Sequence, residues 1–319
     1  MPFFNRRKRP ASLTIEEDAI RYVRLKSAEP LVIDIAEEVS LPPNTVVEGK
    51  IVDAETLTVI LEGVVKEWGI VRRDVQFLAP DTYVIIRKVP YPNEIQEDEL
   101  KGHFFIEIGS SIYLPFEDPV FDVVPYVPSV DEKEAILIAS KESIIDQYED
   151  VLKSVKLHPV VADIGPLSLY RLSYQSYAFT EDEHVMIADL KGNSMTVSIF
   201  HKHYPLFMRP VDLGQSANIA IVVEGDTEAD VATPSAIVSE LEKLINFYRY
   251  NMHNGAASVT RLLLNGDYSQ MDELSALIQD RFTIEAGSLM KEPARTADGR
   301  QQLSASFNRT IGLSLKEVR

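Results

Sequence analysis

The residues best placed to do chemistry lie in the stretch 186–214, MIADLKGNSMTVSIFHKHYPLFMRPVDLG. An apolar run from Met186 to Ala188 ends on Asp189. The polar turn Lys191-Gly192-Asn193-Ser194 follows, and Thr196 leads into Val197-Ser198-Ile199-Phe200. Alternation on both sides of a glycine turn predicts two antiparallel strands, then a return segment ending at Gly214. A carboxylate closing a buried strand, followed by glycine and threonine, suits a phosphate and its cation. Glycine lets backbone N–H groups approach the phosphate, and the carboxylate reaches a hydrated Mg²⁺. The same pattern describes an ordinary hairpin with a polar turn, and the residues alone leave both readings open. His201 and His203, at i and i+2, would share a strand face and could ligate a metal. No third ligand is in sight, so a surface pair is the simpler reading.

Composition narrows the classes. The 319 residues predict about two domains, each with its own core. Lysine and arginine total 32 against 49 acidic residues, a net charge of −17, which makes a nucleic-acid backbone a poor partner. Arg6-Arg7-Lys8-Arg9, behind Phe3 and Phe4, is the exception: a solvated tail, or a contact for a partner or membrane surface. The absence of cysteine excludes disulfides, zinc thiolates and a cysteine nucleophile, and fits a cytosolic chain. No apolar run approaches the ~18 residues of a membrane span, and the basic start lacks the hydrophobic region of a signal peptide. A soluble, cytoplasmic chain is expected.

The elements that would position the hairpin follow from pattern. Ser12–Lys26 reads as a hairpin turning at Glu16-Glu17-Asp18, and Ile33–Val39 as a third strand. Asp53 caps a helix with an apolar face of Leu57, Ile60, Leu61, Val64 and Val65, closed by Trp68-Gly69. Strands are expected at 75–78, 83–89, 116–128 and 136–139, with helices at 97–108 and 141–155, forming an inserted α+β unit. A strand at 160–163 and a helix at 166–177 follow. The second half predicts the 186–214 hairpin, a long helix at 234–253, a strand at 259–264, a helix at 271–282 and a final helix at 304–318. Two units of similar order predict a duplicated α/β architecture with a cleft between halves.

Five segments together resemble the PilM family of type IV pilus assembly proteins, cytoplasmic actin-like proteins similar to the cell-division protein FtsA. They are VRLK at 23–26, the run from IIRKVPYP to LPFED at 85–118, VVADIGPLSLYRL at 160–172, the hairpin at 186–214, and the series LEKLINFYRY, RLLLNGD and IGLSL. The resemblance implies a duplicated actin-like (ribonuclease H-like) two-lobed α/β fold with a small inserted α+β subdomain. Its divisions would be 1–75 in the first lobe, 76–155 inserted, 156–180 returning to the first lobe, 181–300 as second lobe, and 301–319 as a helix closing on the first. It also implies a cleft for ATP and Mg²⁺, and a groove for the cytoplasmic N-terminal tail of a PilN-like inner-membrane protein. Self-association is compatible with it. An FtsA-like filament is not expected, because no amphipathic membrane helix follows the closing helix at Arg319.

Against that family the phosphate loops are worn. The first, expected as Asp-Ile-Gly-Ser-Ser-Ser, here reads Thr14-Ile15-Glu16-Glu17-Asp18-Ala19. Each carboxylate a few ångströms from a phosphate costs about 1 kcal/mol in water and about 4 near a protein surface. In the second loop Asp189 survives, Lys191 stands where glycine is expected, Gly192 arrives one place late, and Thr196 is displaced by one. The adenosine segment keeps Gly266 but follows it with Asp267. The helix with the ribose-contacting lysine is reduced to the acidic EGDTEADV. The expectation is a degenerate nucleotide site with the remnant Asp189, Gly192, Asn193, Thr196 and Gly266, no catalytic residue, no metal and no bound cofactor. The alternative is an active actin-like ATPase or small-molecule kinase. The partner groove is expected between insert and first lobe, lined by Leu78, Val84, Ile86, Val161 and Leu167, residues that would otherwise be core.

Overall fold

The computed structural model describes residues 9–127, 133–214 and 232–317. The tail before Arg9 and the acidic EGDTEADV at 224–231 lie outside these residues. The chain opens with an antiparallel meander, β1 (Ala11–Ile15), β2 (Ala19–Ser27) and β3 (Val32–Ser40). A short ribbon, β4 (Val46–Val47) and β5 (Lys50–Ile51), leads to α1 (Ala54–Glu67). The Asp53 carboxylate accepts from Thr56 N and starts this helix. Gly69, at φ +65°, ends it. Leu57, Leu61, Val64 and Val65 are its buried face, and Trp68 stacks on Tyr22 of β2 with centroids 5.7 Å apart.

After β6 (Asp74–Ala79), the insert contributes β7 (Val84–Pro90), α2 (Leu100–Glu107), β8 (Pro119–Pro125) and β9 (Glu134–Lys141). The first lobe resumes with α3 (Glu142–Ser154), β10 (His158–Ile164) and α4 (Gly165–Ser173). The second lobe is β11 (His184–Lys191), β12 (Ser194–His201), β13 (Tyr204–Asp212), α5 (Pro234–Asn246), β14 (Arg261–Asn265), α6 (Met271–Arg281) and β15 (Glu285–Ser288). A π-helical turn, Phe247–Met252, extends α5. The short α7 (Asn308–Ser314) follows a 3₁₀ turn at Ala305–Phe307.

The two principal sheets have one topology. The first runs β10-β6-β1-β2-β3 and the second β15-β14-β11-β12-β13. In each, a meander of three antiparallel strands is extended by two parallel strands beside its first member. This is the duplicated, actin-like two-lobed α/β fold. Each sheet has its own core, one around Leu13, Leu57, Phe77 and Tyr148, the other around Met186, Val197, Leu241 and Leu274. A third core joins the lobes through Val23, Leu169, Ile187, Leu263 and Ile311.

The insert is a separate sheet of order β7-β9-β8. Val89, Leu137 and Phe104 pack α2 on one face. Val84, Ile86, Ile136 and Tyr126 on the other merge with the first-lobe core and with Leu206 of β13. Two elements numbered wholly or mostly within the expected inserted range 76–155 belong to the first lobe instead. β6 is held between β1 and β10 in the first sheet, and α3 packs Ile144, Tyr148 and Leu152 into the first-lobe core. Strand alternation reports which face of β6 is buried, not which strands flank it. The final helix is also shorter than the expected 304–318, because the Asp267 carboxylate accepts from Ala305 N and Ser306 N and fixes a 3₁₀ entry.

Candidate functional site: a cleft closed by ion pairs

The hairpin of β11 and β12 faces the cleft between the lobes, where Lys191 meets Glu16 and Asp189 meets Arg309. Asp189 lies within β11 rather than at its end, paired across the ladder with Thr196, and the turn is Gly192-Asn193. Asp189 is 2% exposed. Arg309 of α7 donates from Nε to Asp189 Oδ2 at 2.6 Å, and Asn265 donates from Nδ2 to Oδ1 at 2.7 Å. Asn308 in turn donates to Asn265 Oδ1 at 2.7 Å. The Arg309 side chain is 8% exposed, and its Nη2 also pairs with Asp81, in the turn after β6. Burial opposes the charge of Arg309, but Asp189 and Asp81 more than offset this and hold its pKa above the ordinary value. Burial likewise opposes ionisation of Asp189, yet Arg309 and Lys191 keep its carboxyl below the usual range.

The first loop is stitched into the same network. Glu16 pairs with Lys191 of the second lobe and with Arg21, and lies 3.9 Å from Arg309 Nε. Arg21 also takes Asp18 and Glu38, while Glu17 Oε1 accepts from Glu48 N at 2.6 Å. Thr14 and Thr310 share a hydrogen bond of 2.7 Å between hydroxyls. The loop carboxylates are therefore engaged by the protein's own donors.

The remaining expected residues separate into roles. Gly192 is in the exposed turn at φ +51°. Asn193 beside it accepts from Ala232 N at 3.2 Å. Thr196 is half-buried, between Asp189 and Pro210. Gly266, at φ +114°, is required by packing: a Cβ there would stand 2.0 Å from Leu190 O. A cavity of about 260 Å³ lies beside Asn265 and Gly266, walled by Met271, Met290, Pro293 and Ser304.

The five residues expected to line a groove do not converge on one. Val84 and Ile86 are buried in the core against Tyr126 and Leu206, because β13 covers that face of β7. Leu78 is buried, and Val161 and Leu167 are half-buried. On the opposite face of β7 the seam does hold a cavity, of about 700 Å³, lined by Tyr83, Ile85, Pro115, Phe116, Asp118 and Lys141 among others. His201 ends β12 and His203 sits in the following turn at φ +71°, so they share no strand face. Among the described residues no His, Asp and Glu cluster is arranged to hold a metal. Arg309 and Asp81 escaped the sequence reading. The one signal was an arginine just ahead of the Ile311, Leu313 and Leu315 alternation.

The chain is similar in structure to a PilM–PilN type IV pilus biogenesis complex, with 19% identity, 96% of this chain and 98% of that chain covered, and a TM-score of 0.75. Looser likenesses are to the cytoplasmic domain of EpsL, an inner membrane component of the type II secretion system of Vibrio cholerae (14% identity, 97% and 95% covered, TM-score 0.46), and to a Bacteroides thetaiotaomicron protein with an actin-like ATPase fold (10%, 90% and 93%, 0.45). None of the curated proteins compared matches the chain. A family model for type IV pilus assembly protein PilM matches residues 13–247, most of the sequence, and the chain belongs to that family.

Proposed function

We propose that this protein is a non-catalytic scaffold of type IV pilus assembly, held at the inner face of the membrane by the N-terminal tail of a PilN-like inner-membrane protein. The observation that carries the reading is Arg309. Its guanidinium occupies the two cleft carboxylates, Asp189 and Asp81, that would otherwise be open to a cation and its phosphates. The residues present do not fit Mg-ATP. A triphosphate would have to release Arg309 from both carboxylates and then lie beside Glu16, whose charge alone costs about 1–4 kcal/mol at contact range. Among the described residues no helix is long and apolar enough to cross a membrane, so attachment is assigned to the partner.

The tail is assigned to the seam cavity lined by Tyr83, Ile85, Pro115 and Phe116, whose position between insert and first lobe supports an extended peptide running along β7. The alternative, an actin-like ATPase or small-molecule kinase, draws on the cavity beside Asn265 and Gly266, but Asn265 there is tied to Asp189, whose other oxygen Arg309 already holds. Titration calorimetry separates the two. The scaffold predicts that a synthetic PilN-like tail peptide binds without nucleotide, and that Mg-ATP gives no heat of binding. A micromolar Kd for Mg-ATP would refute the degenerate cleft. Absence of peptide binding, with and without Mg-ATP, would refute the scaffold.

A further inference from the structure

Three histidines meet where the second lobe touches the insert. His184 begins β11 and lies directly across the ladder from His201 at the end of β12, with rings parallel and centroids 4.1 Å apart. His253, after the π-helical turn, sets its ring edge-on to His184 at 5.7 Å. His184 Nδ1 is 2.7 Å from the Tyr248 hydroxyl. His201 Nδ1 is 3.2 Å from the hydroxyl of Tyr126, an insert residue that also meets Tyr204 of β13 edge to face. The Nε2 of His253 is buried without a hydrogen-bond partner.

Two lysines and two carboxylates stand around the cluster among the described residues. The Lys88 ammonium lies 5.1 Å from the Tyr126 ring centroid, and Lys202 adjoins His201. Lys88 is paired with Glu134. Among the described residues Asp182 is the acidic group that acts on His184 and His201, and Tyr248, Tyr204 and Tyr126 complete the wall. Neutral rings stack and share hydrogen bonds here. Protonated rings would place two cations face to face beside two lysines, and among the described residues no carboxylate is paired with the third ring, His253.

We propose that His184, His201 and His253 form an acid-operated latch between the second lobe and the insert, closed while the rings are neutral and opened when they take up protons. Burial first, and then the neighbouring histidines, push His184 down to about 4, and burial also lowers His201 and His253, so the latch is closed at neutral pH. If the docking assignment above holds, the latch bears on it. Val84 and Ile86 face the latch side of β7, whereas Ile85 on the other face lines the seam cavity.

The absence of cysteine allows a direct test on the full chain. Lys101→Cys on α2 and Asp280→Cys on α6, both exposed, carry nitroxide labels whose separation is read by pulsed EPR from near pH 7.5 down to near pH 4, the range that brackets the His184 titration. The expected result is a narrow distribution at neutral pH and a broader, longer one in acid. Its midpoint should coincide with the histidine ring titrations seen by NMR. Tyr126→Phe should move that midpoint to higher pH. The His184→Gln, His201→Gln, His253→Gln variant should stay narrow in acid. The proposal is overturned by an unchanged distribution in the parent chain, or by a triple variant that opens as the parent does. Should the triple variant fail to fold, rings that titrate with no change in label distance overturn it equally. None of these readings depends on the peptide.

Discussion

Arg309 on α7 and Asp189 on β11, 120 residues apart in sequence, meet Nε to Oδ2 at 2.6 Å in the buried cleft. The contact makes Asp189 a structural counter-ion. The sequence alone read it as the surviving remnant of a worn phosphate loop.

Breaking the pair on either side should be costly. Arg309→Met strands Asp189 and Asp81, and Asp189→Asn leaves the guanidinium half-compensated; each should lose about 3–5 kcal/mol in urea denaturation. The double variant should lose clearly less than the two single losses added together. Strict additivity would show that the two groups do not interact in solution.

A matched pair of glycine substitutions checks the packing. Gly63, exposed on α1 with nothing within 4 Å of a built Cβ, should gain about 0.5–1 kcal/mol as Gly63→Ala. Gly312→Ala brings a Cβ to 2.0 Å from Ser168 O between α7 and α4 and should lose several times that amount. Thermal melts with opposite signs are the expected outcome; two losses of equal size would contradict the geometry.

On β7 neighbouring positions should part company. Val84→Asp buries an unpaired carboxylate in the shared core and should unfold the insert, as seen by hydrogen exchange. Ile85→Asp, lining the seam cavity, should leave the melting temperature nearly intact while abolishing binding of the tail peptide. Peptide binding that survives Ile85→Asp would move the docking site elsewhere.

Stability should fall on mild acidification. His184 titrates near its ordinary 6.5 when unfolded and about 4 when folded, so below pH 6.5 the unfolded chain binds the extra proton. The stabilisation is present above 6.5 and is lost as pH falls toward 4, up to about 3 kcal/mol from this residue. His184→Gln should flatten the dependence between pH 6.5 and 5 in denaturant titrations. An unaltered slope would assign the effect to carboxylates.

Local pattern made much of the architecture readable. The alternation of Leu13, Ile15, Ile20 and Tyr22 around Glu16-Glu17-Asp18 marked the first hairpin, and the second was marked the same way. Asp53 declared its helix through Thr56, three residues on. What escaped depends on distant partners. Nothing near Val75 says that β6 runs between β1 and β10. Nothing near Arg309 names Asp81, 228 residues away. Val84 and Ile86 alternate as a groove or a core would, and the choice is made by Leu206 of β13, which no local pattern can supply.

The crossing of α4 and α7 has a mechanical consequence. At Gly312 the two backbones approach more closely than any Cβ would allow, Ser168 Oγ donates to Arg309 O, and Arg171 Nε donates to Gly312 O at 3.2 Å. With backbone against backbone at Gly312, sliding α7 along α4 would drive the chain into Ser168 and break both hydrogen bonds, so the crossing resists translation.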